Sequence, residues 1–379
     1  MARLRTDWIL FLTIVAMVAF GLVMLYSASS AIAQLRYHVA PYYFVVRQVG
    51  WAAVSFAVLM YFKRVDYRRM NTATWAFSGL AVVVGLLVIV YFVDARTHRW
   101  FRMPGIGSFQ PSEFAKPALI LFLAYFISRR GHMINDRRTI QQALLAIAML
   151  AMMVVVADLG TAIVQVTTAV LMFWIAGLEK RHMARVIGIG VLLLVVAICS
   201  RGYRLGRVIS YFDKDYTKLE MIDPHGMIKD YIQRSPVRDV GYQPRQSKTA
   251  VGTGGVLGLG LMQGWRQLMF LPDAHTDFIF AAVGAELGLW GSSAVILGFL
   301  VILWRGARLF VLARDDFGKY LALGVTLTIV VQAFINMSVV LDMAPTKGFP
   351  LPMISFGGSS LLATLTSLGM LLSVSEHEG

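Results

Sequence analysis

Acidic and hydroxyl side chains lie close together in the stretch LPDAHTDFIFAAVGAELG, residues 271–288. His275, Thr276 and Asp277 stand where this stretch becomes a long apolar run, and an ionisable residue at the end of a membrane span is a candidate functional group. Glu286 would lie about two to three turns further along the same helix. A carboxylate at that depth needs a partner or a wet cavity. The alternative is structural, because Thr276 or Asp277 would also serve as a helix N-cap.

The sequence FQPSE offers a second carboxylate, Glu113, together with Gln110. Proline, a hydroxyl and an acidic residue in this order also open many helices, so a site and a simple helix start are both consistent with it. Upstream, Arg99 and Trp100 suit the lipid headgroup region, since Trp anchors at the interface and Arg binds phosphate. Asp158, in the turn ADLGT, is either a site residue or an ordinary turn residue.

Residues 342–360, DMAPTKGFPLPMISFGGSS, interrupt two apolar runs with prolines, glycines and a lysine. Irregular backbone at membrane depth survives only where it is buried in protein or lines a cavity. Lys347 is placed to neutralise a phosphate, unless it snorkels to the interface. The Gly/Ser run that includes Ser359 is suited to presenting N–H groups to an anion at the start of the last span.

The long polar stretch 200–276 carries two further candidate cations, Arg204 and Arg207. Its glycine-rich part has neither the Gly-Lys-Ser/Thr ending of a Walker A loop nor a G-x-G-x-x-G after a strand, so we expect no nucleotide cofactor. The glycines favour an amphipathic segment, 257–270, that lies against the membrane surface.

Membrane helices must position all of these residues. The chain is 58% hydrophobic and 15% charged, with a mean hydropathy of +0.67, outside the range of soluble domains. Its apolar blocks have the length that crosses a bilayer, about 20 residues. We therefore predict an all-α, polytopic membrane protein, a single integral membrane domain over 1–379, with about ten spans near 8–27, 45–62, 73–92, 114–128, 140–157, 161–178, 183–199, 277–303, 321–341 and 358–374.

The basic residues orient these spans, because Lys and Arg concentrate in alternate short connections, as the positive-inside rule requires. Both termini are thereby expected on the cytoplasmic side, and the 200–276 loop, between the seventh and eighth spans, on the outer side. Lys116 is assigned to an outer connection. The net charge is +14, but about half of the basic residues form this orientation signal, so we infer no nucleic-acid partner. The single cysteine, Cys199, excludes an internal disulfide.

These motifs resemble the SEDS (shape, elongation, division and sporulation) family, FtsW and RodA, which are membrane-embedded peptidoglycan glycosyltransferases. The matching pieces follow the family order across nearly the whole chain: RW at 99–100, FQPSE at 109–113, DLGT at 158–161, YRLGR at 203–207, YQPRQS at 242–247, LPDAHTDFIF at 271–280, ELGLWG at 286–291 and PTKGFPLPMISFGGSS at 345–360. The sequence departs from the family pattern at Ala157, Ala285 and Phe356, and 213–241 reads as an insertion.

The resemblance implies that the protein polymerises lipid II in the bacterial plasma membrane, with its site on the outer face. It implies that Asp277 is the general base on the acceptor 4-hydroxyl, or helps to hold a divalent cation, Mg²⁺ or Mn²⁺. Lys347, with Arg204 or Arg207, would offset pyrophosphate charge, and Glu113 would line the same cavity.

The resemblance also implies a class B penicillin-binding transpeptidase as partner, and divisome membrane proteins around it. Thr346 and Lys347 place the chain closer to FtsW than to RodA. Three alternatives are a RodA-like elongation polymerase, a lipid II flippase or transporter, and an inactive scaffold in which Asp277 is a cap alone. The candidate groups cluster at the outer edge and not at the midplane, which favours the enzyme over a transporter.

Overall fold

The computed structural model of the protein describes residues 6–95, 97–103, 107–213, 223, 227–228, 231, 242–264, 271, 274–345 and 348–377. Its α-helices, numbered here in chain order, are α1 Trp8–Leu35, α2 Tyr43–Arg64, α3 Ala73–Val93, α4 Pro111–Arg130, α5 Arg137–Ala157, α6 Leu159–Ile175, α7 Lys180–Cys199, α8 Gly202–Phe212, α9 Tyr242–Gly254, α10 Ile279–Leu312, α11 Asp316–Val340 and α12 Gly358–His377. Short 3₁₀ turns cover Tyr67–Met70 and Gly131–Met133.

Each of the ten predicted spans coincides with a helix, and the all-α polytopic fold is confirmed. Eight of the described helices are long and apolar enough to cross a membrane. The other two predicted spans are α6, which has 17 residues, and α4, which carries Glu113 and Lys116. A two-stranded antiparallel hairpin, β1 Phe101–Met103 with β2 Gly107–Phe109, lies in the connection between α3 and α4.

Capping side chains set several helix starts. Asp7, Thr72, Asp136, Asp158 and Asp315 each accept a hydrogen bond from a backbone N–H in the first turn of the helix that follows. These N–H groups have no partner within the helix, and a carboxylate also suits the positive end of the helix dipole. Polar residues at the borders of apolar runs therefore fix where the helices begin.

The helix α1 extends beyond its predicted end near residue 27, as far as Leu35. Its last part contains Ser27, Ser29 and Ser30, all buried, so protein covers this stretch although its hydropathy is lower. Hydropathy marks where lipid contact stops, whereas a helix continues for as long as neighbouring helices pack against it.

The central helices are α11 and α12. Of the most apolar 18-residue stretch, 61% is buried in α11 and 78% in α12, whereas α7 has none buried. Residues from α1, α2, α10, α11 and α12 form the larger of two apolar cores, and residues from α3 to α6 form most of the second. Polar residues on α11 therefore lie inside the protein, where they need partners.

The glycine-rich stretch after α9 lies against α10. Its described part, 255–264, consists of turns, and the expected contact of 257–270 with the membrane surface stays a prediction. Gly258 fits so closely against the backbone of Glu286 that a Cβ would overlap its carbonyl. Residues 265–270 lie outside the described part, as does most of the 213–241 insertion.

A break in α10 at Gly288 explains this docking. Gly288 has φ +62°, a left-handed conformation that glycine adopts without strain. The carbonyls of Ala285 and Glu286 near the break accept hydrogen bonds from the N–H groups of Leu259 (3.0 Å) and Gly260 (2.9 Å). Buried backbone groups must be paired, and the glycine-rich stretch supplies the missing donors.

Candidate functional site

Asp277 lies half-buried just before α10 begins at Ile279. The N-cap position of α10 is Phe278, so neither Thr276 nor Asp277 occupies it. The backbone carbonyl of Asp277 accepts a hydrogen bond from Asn336 Nδ2 at 2.9 Å. The carboxylate of Asp277 lies directly against Gly348, where a Cβ would overlap Oδ2.

The segment 348–357 runs without regular structure from this contact to the start of α12. Phe349, Leu351, Met353 and Ile354 are buried, which confirms that irregular backbone here is enclosed by protein. Lys347 and Thr346, which directly precede Gly348 in the sequence, lie outside the described residues. The role expected of Lys347 therefore stays a prediction.

Side-chain amides satisfy the backbone of this segment. Asn336 Nδ2 also donates to the Phe349 carbonyl (2.8 Å), and Gln332 Nε2 donates to the Pro350 carbonyl (2.8 Å). Gln48 of α2 donates to the Ser355 carbonyl (3.3 Å) and accepts from the N–H of Gly357 (3.2 Å). Intramembrane backbone is thereby paired without a helix or sheet.

The start of α12 is covered by protein. Ser359 is buried in its first turn, and Gly358 lies against the indole ring of Trp51 without space for a Cβ. The N–H of Gly357 donates to Gln48 Oε1. This N–H of the Gly/Ser run is therefore already paired within the protein and is not presented to an anion.

Glu113 forms a buried ion pair with Lys116 in the first turns of α4, with Lys116 Nζ 2.8 Å from Glu113 Oε2. Both side chains are almost completely enclosed, so Lys116 is an intrahelical partner and not the loop residue that the charge pattern assigned. Its ammonium group also donates to Gln332 Oε1 at 2.7 Å. A buried charge requires such pairing, because desolvation of an isolated ion is costly.

Hydrogen bonds and one peptide link therefore connect the Glu113 carboxylate with the backbone of Asp277, although the two residues are far apart in sequence. From Glu113 the chain of contacts passes through Lys116 and Gln332 to the Pro350 carbonyl. From the neighbouring Phe349 carbonyl it continues through Asn336 to the backbone of Asp277. The structure thus places the expected residues Asp277 and Glu113 in one polar network across α4, α10, α11 and the 348–357 segment.

Asp158 and Gln110 meet in a second polar cluster. Asp158 caps α6 through the N–H of Gly160 (2.9 Å) and accepts from the Thr161 hydroxyl (3.0 Å), so the turn role is confirmed. Its Oδ2 also pairs with Arg99 Nη2 at 3.0 Å and lies 3.5 Å from Gln110 Nε2. Asp158 is buried, and the cluster ties the α3–α4 connection to the start of α6.

Asp94 holds Arg99 and Trp100 from the end of α3. Its Oδ2 accepts the backbone N–H groups of both residues at 3.2 Å. A hydrogen bond from the Thr97 hydroxyl, together with these backbone donors, holds the pKa of Asp94 well below its ordinary value. The Arg99 guanidinium lies 5.2 Å from the centre of the Trp100 ring, which fixes Trp100 in a half-buried position.

The guanidinium of Arg204 donates hydrogen bonds to backbone carbonyls of two helices. Nη2 donates to the Val155 carbonyl of α5 (2.8 Å), and Nη1 donates to the Ala197 carbonyl of α7 (3.1 Å). The residue is buried and joins two helix C-terminal ends, a structural arrangement that sequence reasoning missed. Arg207 is half-buried, with its guanidinium 5.9 Å from the centre of the Tyr203 ring.

His275 and Glu286 have protein surroundings. The His275 ring is buried between Phe44 (4.7 Å between ring centres) and Phe356 (5.9 Å), and its carbonyl accepts the N–H of Phe356 at 3.1 Å. Glu286 is fully buried and accepts a hydrogen bond from the Ser27 hydroxyl of α1. Of the two alternatives for Glu286, a partner or a wet cavity, the structure supplies a partner.

The residues that sequence reasoning missed are amides: Gln332, Asn336 and Gln48. A signal existed, because polar residues inside an otherwise apolar span are costly and usually serve a specific contact. Gln332 and Asn336 lie within the predicted span 321–341, where they stand out from their neighbours.

Comparison with known families agrees with this arrangement. The family model for FtsW, RodA and SpoVE, described as "Cell cycle protein", matches residues 7–379. The chain belongs to this FtsW/RodA/SpoVE family. The match covers every span and both polar clusters, so the sequence resemblance is confirmed over nearly the full length.

Curated relatives in this family are similar over almost their whole length. A protein of Geobacter metallireducens, named probable peptidoglycan glycosyltransferase FtsW, is 36% identical over 384 residues, which cover 98% of this chain and 95% of that protein. Stage V sporulation protein E of Bacillus subtilis is 34% identical over 380 residues, covering 98% of this chain and 97% of that protein.

Solved structures support the fold. A chain from a structure titled as a peptidoglycan synthase complex that coordinates polymerization and crosslinking aligns with a TM-score of 0.71, 24% identity and 99% of both chains covered. RodA of Thermus thermophilus aligns with a TM-score of 0.65, 24% identity, and 98% and 97% of the two chains covered.

Proposed function

We propose that this FtsW/RodA/SpoVE-family protein is a peptidoglycan glycosyltransferase that polymerises lipid II during cell division. The observation that carries the proposal is the Asp277 carboxylate, fixed against Gly348 at the start of α10 and joined through Asn336 to the 348–357 segment. The relatives named FtsW favour the FtsW-like, division branch over elongation.

The chemistry requires a base beside a hydroxyl. Asp277 accepts the proton of the acceptor sugar's 4-hydroxyl while that oxygen attacks the anomeric carbon of the donor. The new O4–C1 bond forms as the bond from C1 to the diphosphate oxygen breaks, and undecaprenyl diphosphate leaves with the bonding electron pair. A half-buried carboxylate near a membrane boundary suits a substrate whose sugar is polar and whose anchor is a lipid.

Cations must offset the charge of the diphosphate leaving group. Lys347 is proposed for this role from its place in the sequence directly before Gly348. Arg207 is a second candidate. Arg204 is a weaker one, because its guanidinium already donates to two helix carbonyls.

In the alternative role, Asp277 would act not as the base but as one of several ligands of a divalent cation. No group of three or more His, Cys, Asp or Glu side chains lies together within the described residues, so that part of the chain offers no complete protein cage. Mg²⁺ commonly takes one or two carboxylates together with substrate phosphate oxygens. Asp277 and the diphosphate oxygens would hold such an ion, which would neutralise charge on the leaving group.

The proposed orientation places both termini in the cytoplasm and Asp277 on the outer side. The end of α2 carries Lys63 and Arg64, and the end of α4 carries Arg129 and Arg130. Such basic ends mark the cytoplasmic side. A class B penicillin-binding transpeptidase is the proposed partner, in line with the synthase complex that shares the fold.

The proposal is tested with purified protein, the transpeptidase partner, lipid II and Mg²⁺. We expect glycan polymer in the presence of the protein, resolved as a ladder on a gel, and none without it. A parallel assay in vesicles follows movement of a labelled lipid II across the bilayer. Lipid movement without any polymer would contradict the polymerase and support a transporter.

A further inference from the structure

Three polar residues form a stripe on α11: Thr328, Gln332 and Asn336. Their spacing of four residues places them on one face of the helix. All three are buried, with at most 6% of their surface exposed. Thr328 bonds Thr168 of α6 (3.3 Å), whereas the other two bond residues around the candidate carboxylates.

Asn336 is a double donor. Its Nδ2 group gives one N–H to the Asp277 carbonyl (2.9 Å) and the other to the Phe349 carbonyl (2.8 Å). Two carbonyl partners fix which end of the amide faces them, because the amide oxygen cannot donate. The side chain thereby binds the chain before α10 to the segment before α12.

Gln332 uses both ends of its amide. Oε1 accepts from Lys116 Nζ at 2.7 Å, and Nε2 donates to the Pro350 carbonyl at 2.8 Å. Lys116 is in turn ion-paired with Glu113. A shift of the Pro350 backbone would therefore weaken the support of a buried ammonium group, which is costly at low dielectric.

We propose that Gln332 and Asn336 are positioning residues that hold Asp277 and Glu113 at a fixed separation by anchoring both to α11. The inference rests on the proposed function, since it assigns these amides a role in the same site. The two carbonyls that they hold, Phe349 and Pro350, are consecutive, so one short piece of backbone is fixed from two points. A displacement of about 1 Å at a reacting group costs on the order of 100-fold in rate.

The test uses the full-length protein with its partner in the lipid II polymerisation assay. The decisive variant is Asn336→Asp, which has the same size but cannot donate to both carbonyls in either protonation state. We expect kcat to fall about 10- to 100-fold, with KM for lipid II within twofold. The melting temperature should fall as well, because at least one buried carbonyl loses its donor, so kcat is compared at a temperature at which both proteins are folded. Thr328→Val is the matched control, because it removes a buried hydrogen bond of the same helix face that does not reach the 348–357 segment.

Unchanged kcat in folded Asn336→Asp overturns the positioning role, and so does an equal loss in Thr328→Val, which would indicate a general packing effect. Should Asn336→Asp fail to fold, Gln332→Glu carries the same prediction, since it keeps the acceptor for Lys116 and loses the donor to Pro350. Normal kcat in that variant overturns the proposal. Asp277→Asn run in parallel separates the two claims, because full activity there contradicts the proposed catalytic site itself.

Discussion

Gly348 lies against the carboxylate of Asp277 with no room for a methyl group between them. The obstructed atom would be Oδ2, and the nearest atoms around it all belong to the Asp277 side chain and not to backbone. A side chain at position 348 therefore moves the carboxylate and leaves the surrounding backbone in place. A substitution at position 348 should therefore change the position of the carboxylate with little effect on the stability of the fold.

Gly348→Ala should lower polymerisation about 10- to 100-fold, because the displaced carboxylate no longer meets the acceptor hydroxyl. The melting temperature should stay close to that of the wild type. Gly357→Ala is the control in the same segment, since a Cβ there would make an ordinary contact of 3.5 Å with Ser360. Equal activity of Gly348→Ala and wild type would show that the position of this carboxylate is not critical.

Lys116→Met should destabilise the protein by about 3–5 kcal/mol, because Glu113 is left as an uncompensated buried charge. Thermal unfolding in detergent measures the effect. Lys319→Met removes an ion pair of the same spacing at the surface, where Lys319 Nζ lies 3.1 Å from Asp316 and both side chains are exposed. That change should cost about 0–1 kcal/mol. Similar losses in the two variants would contradict the burial of the Glu113 pair.

Gly258→Ala should destabilise the docking of the glycine-rich stretch on α10. Gly258 has φ +80°, and its Cα faces the Glu286 backbone, which cannot move aside as a flexible side chain would. The expected cost is about 1–3 kcal/mol, read as a lower melting temperature. Gly252→Ala, which meets open space in α9, should not lower the melting temperature, because alanine is the better helix former. A neutral Gly258→Ala would mean that the stretch does not pack at the Gly288 break.

Arg204→Lys distinguishes a structural role from a substrate-binding role. Lysine keeps the charge but cannot reach both the Val155 and Ala197 carbonyls from a planar fork. We expect a lower melting temperature and an unchanged KM for lipid II. A raised KM with normal stability would restore Arg204 to the substrate site.

Much of this architecture is predictable from sequence because lipid imposes simple rules. Each of the ten spans appears as a helix, since an apolar run of that length has no other way to satisfy its backbone in a bilayer. Asp277 and Glu113 are identifiable as ionisable residues at span ends. Helix continuation beyond the apolar run, as in α1 up to Leu35, depends on tertiary packing and so escapes a hydropathy reading.

The polar network is harder to predict because its partners are distant in sequence. The charge pattern assigns Lys116, three residues after Glu113, to an outer connection, although its positive charge is buried against Glu113 and Gln332. The docking of the glycine-rich stretch on α10 is hard to predict for a similar reason. Its glycines pack against the backbone of α10 near the break at Gly288. The local sequence does not show which distant backbone a glycine will contact.

The most direct measurement is the amount of glycan polymer made from lipid II by Asp277→Asn, with the partner transpeptidase and Mg²⁺ present. Asp316→Asn, the same change at an exposed helix start, is the control. We predict a loss of about 10²- to 10⁴-fold for Asp277→Asn, the range that a general base contributes, and wild-type activity for Asp316→Asn. Equal polymer from wild type and Asp277→Asn would contradict the account.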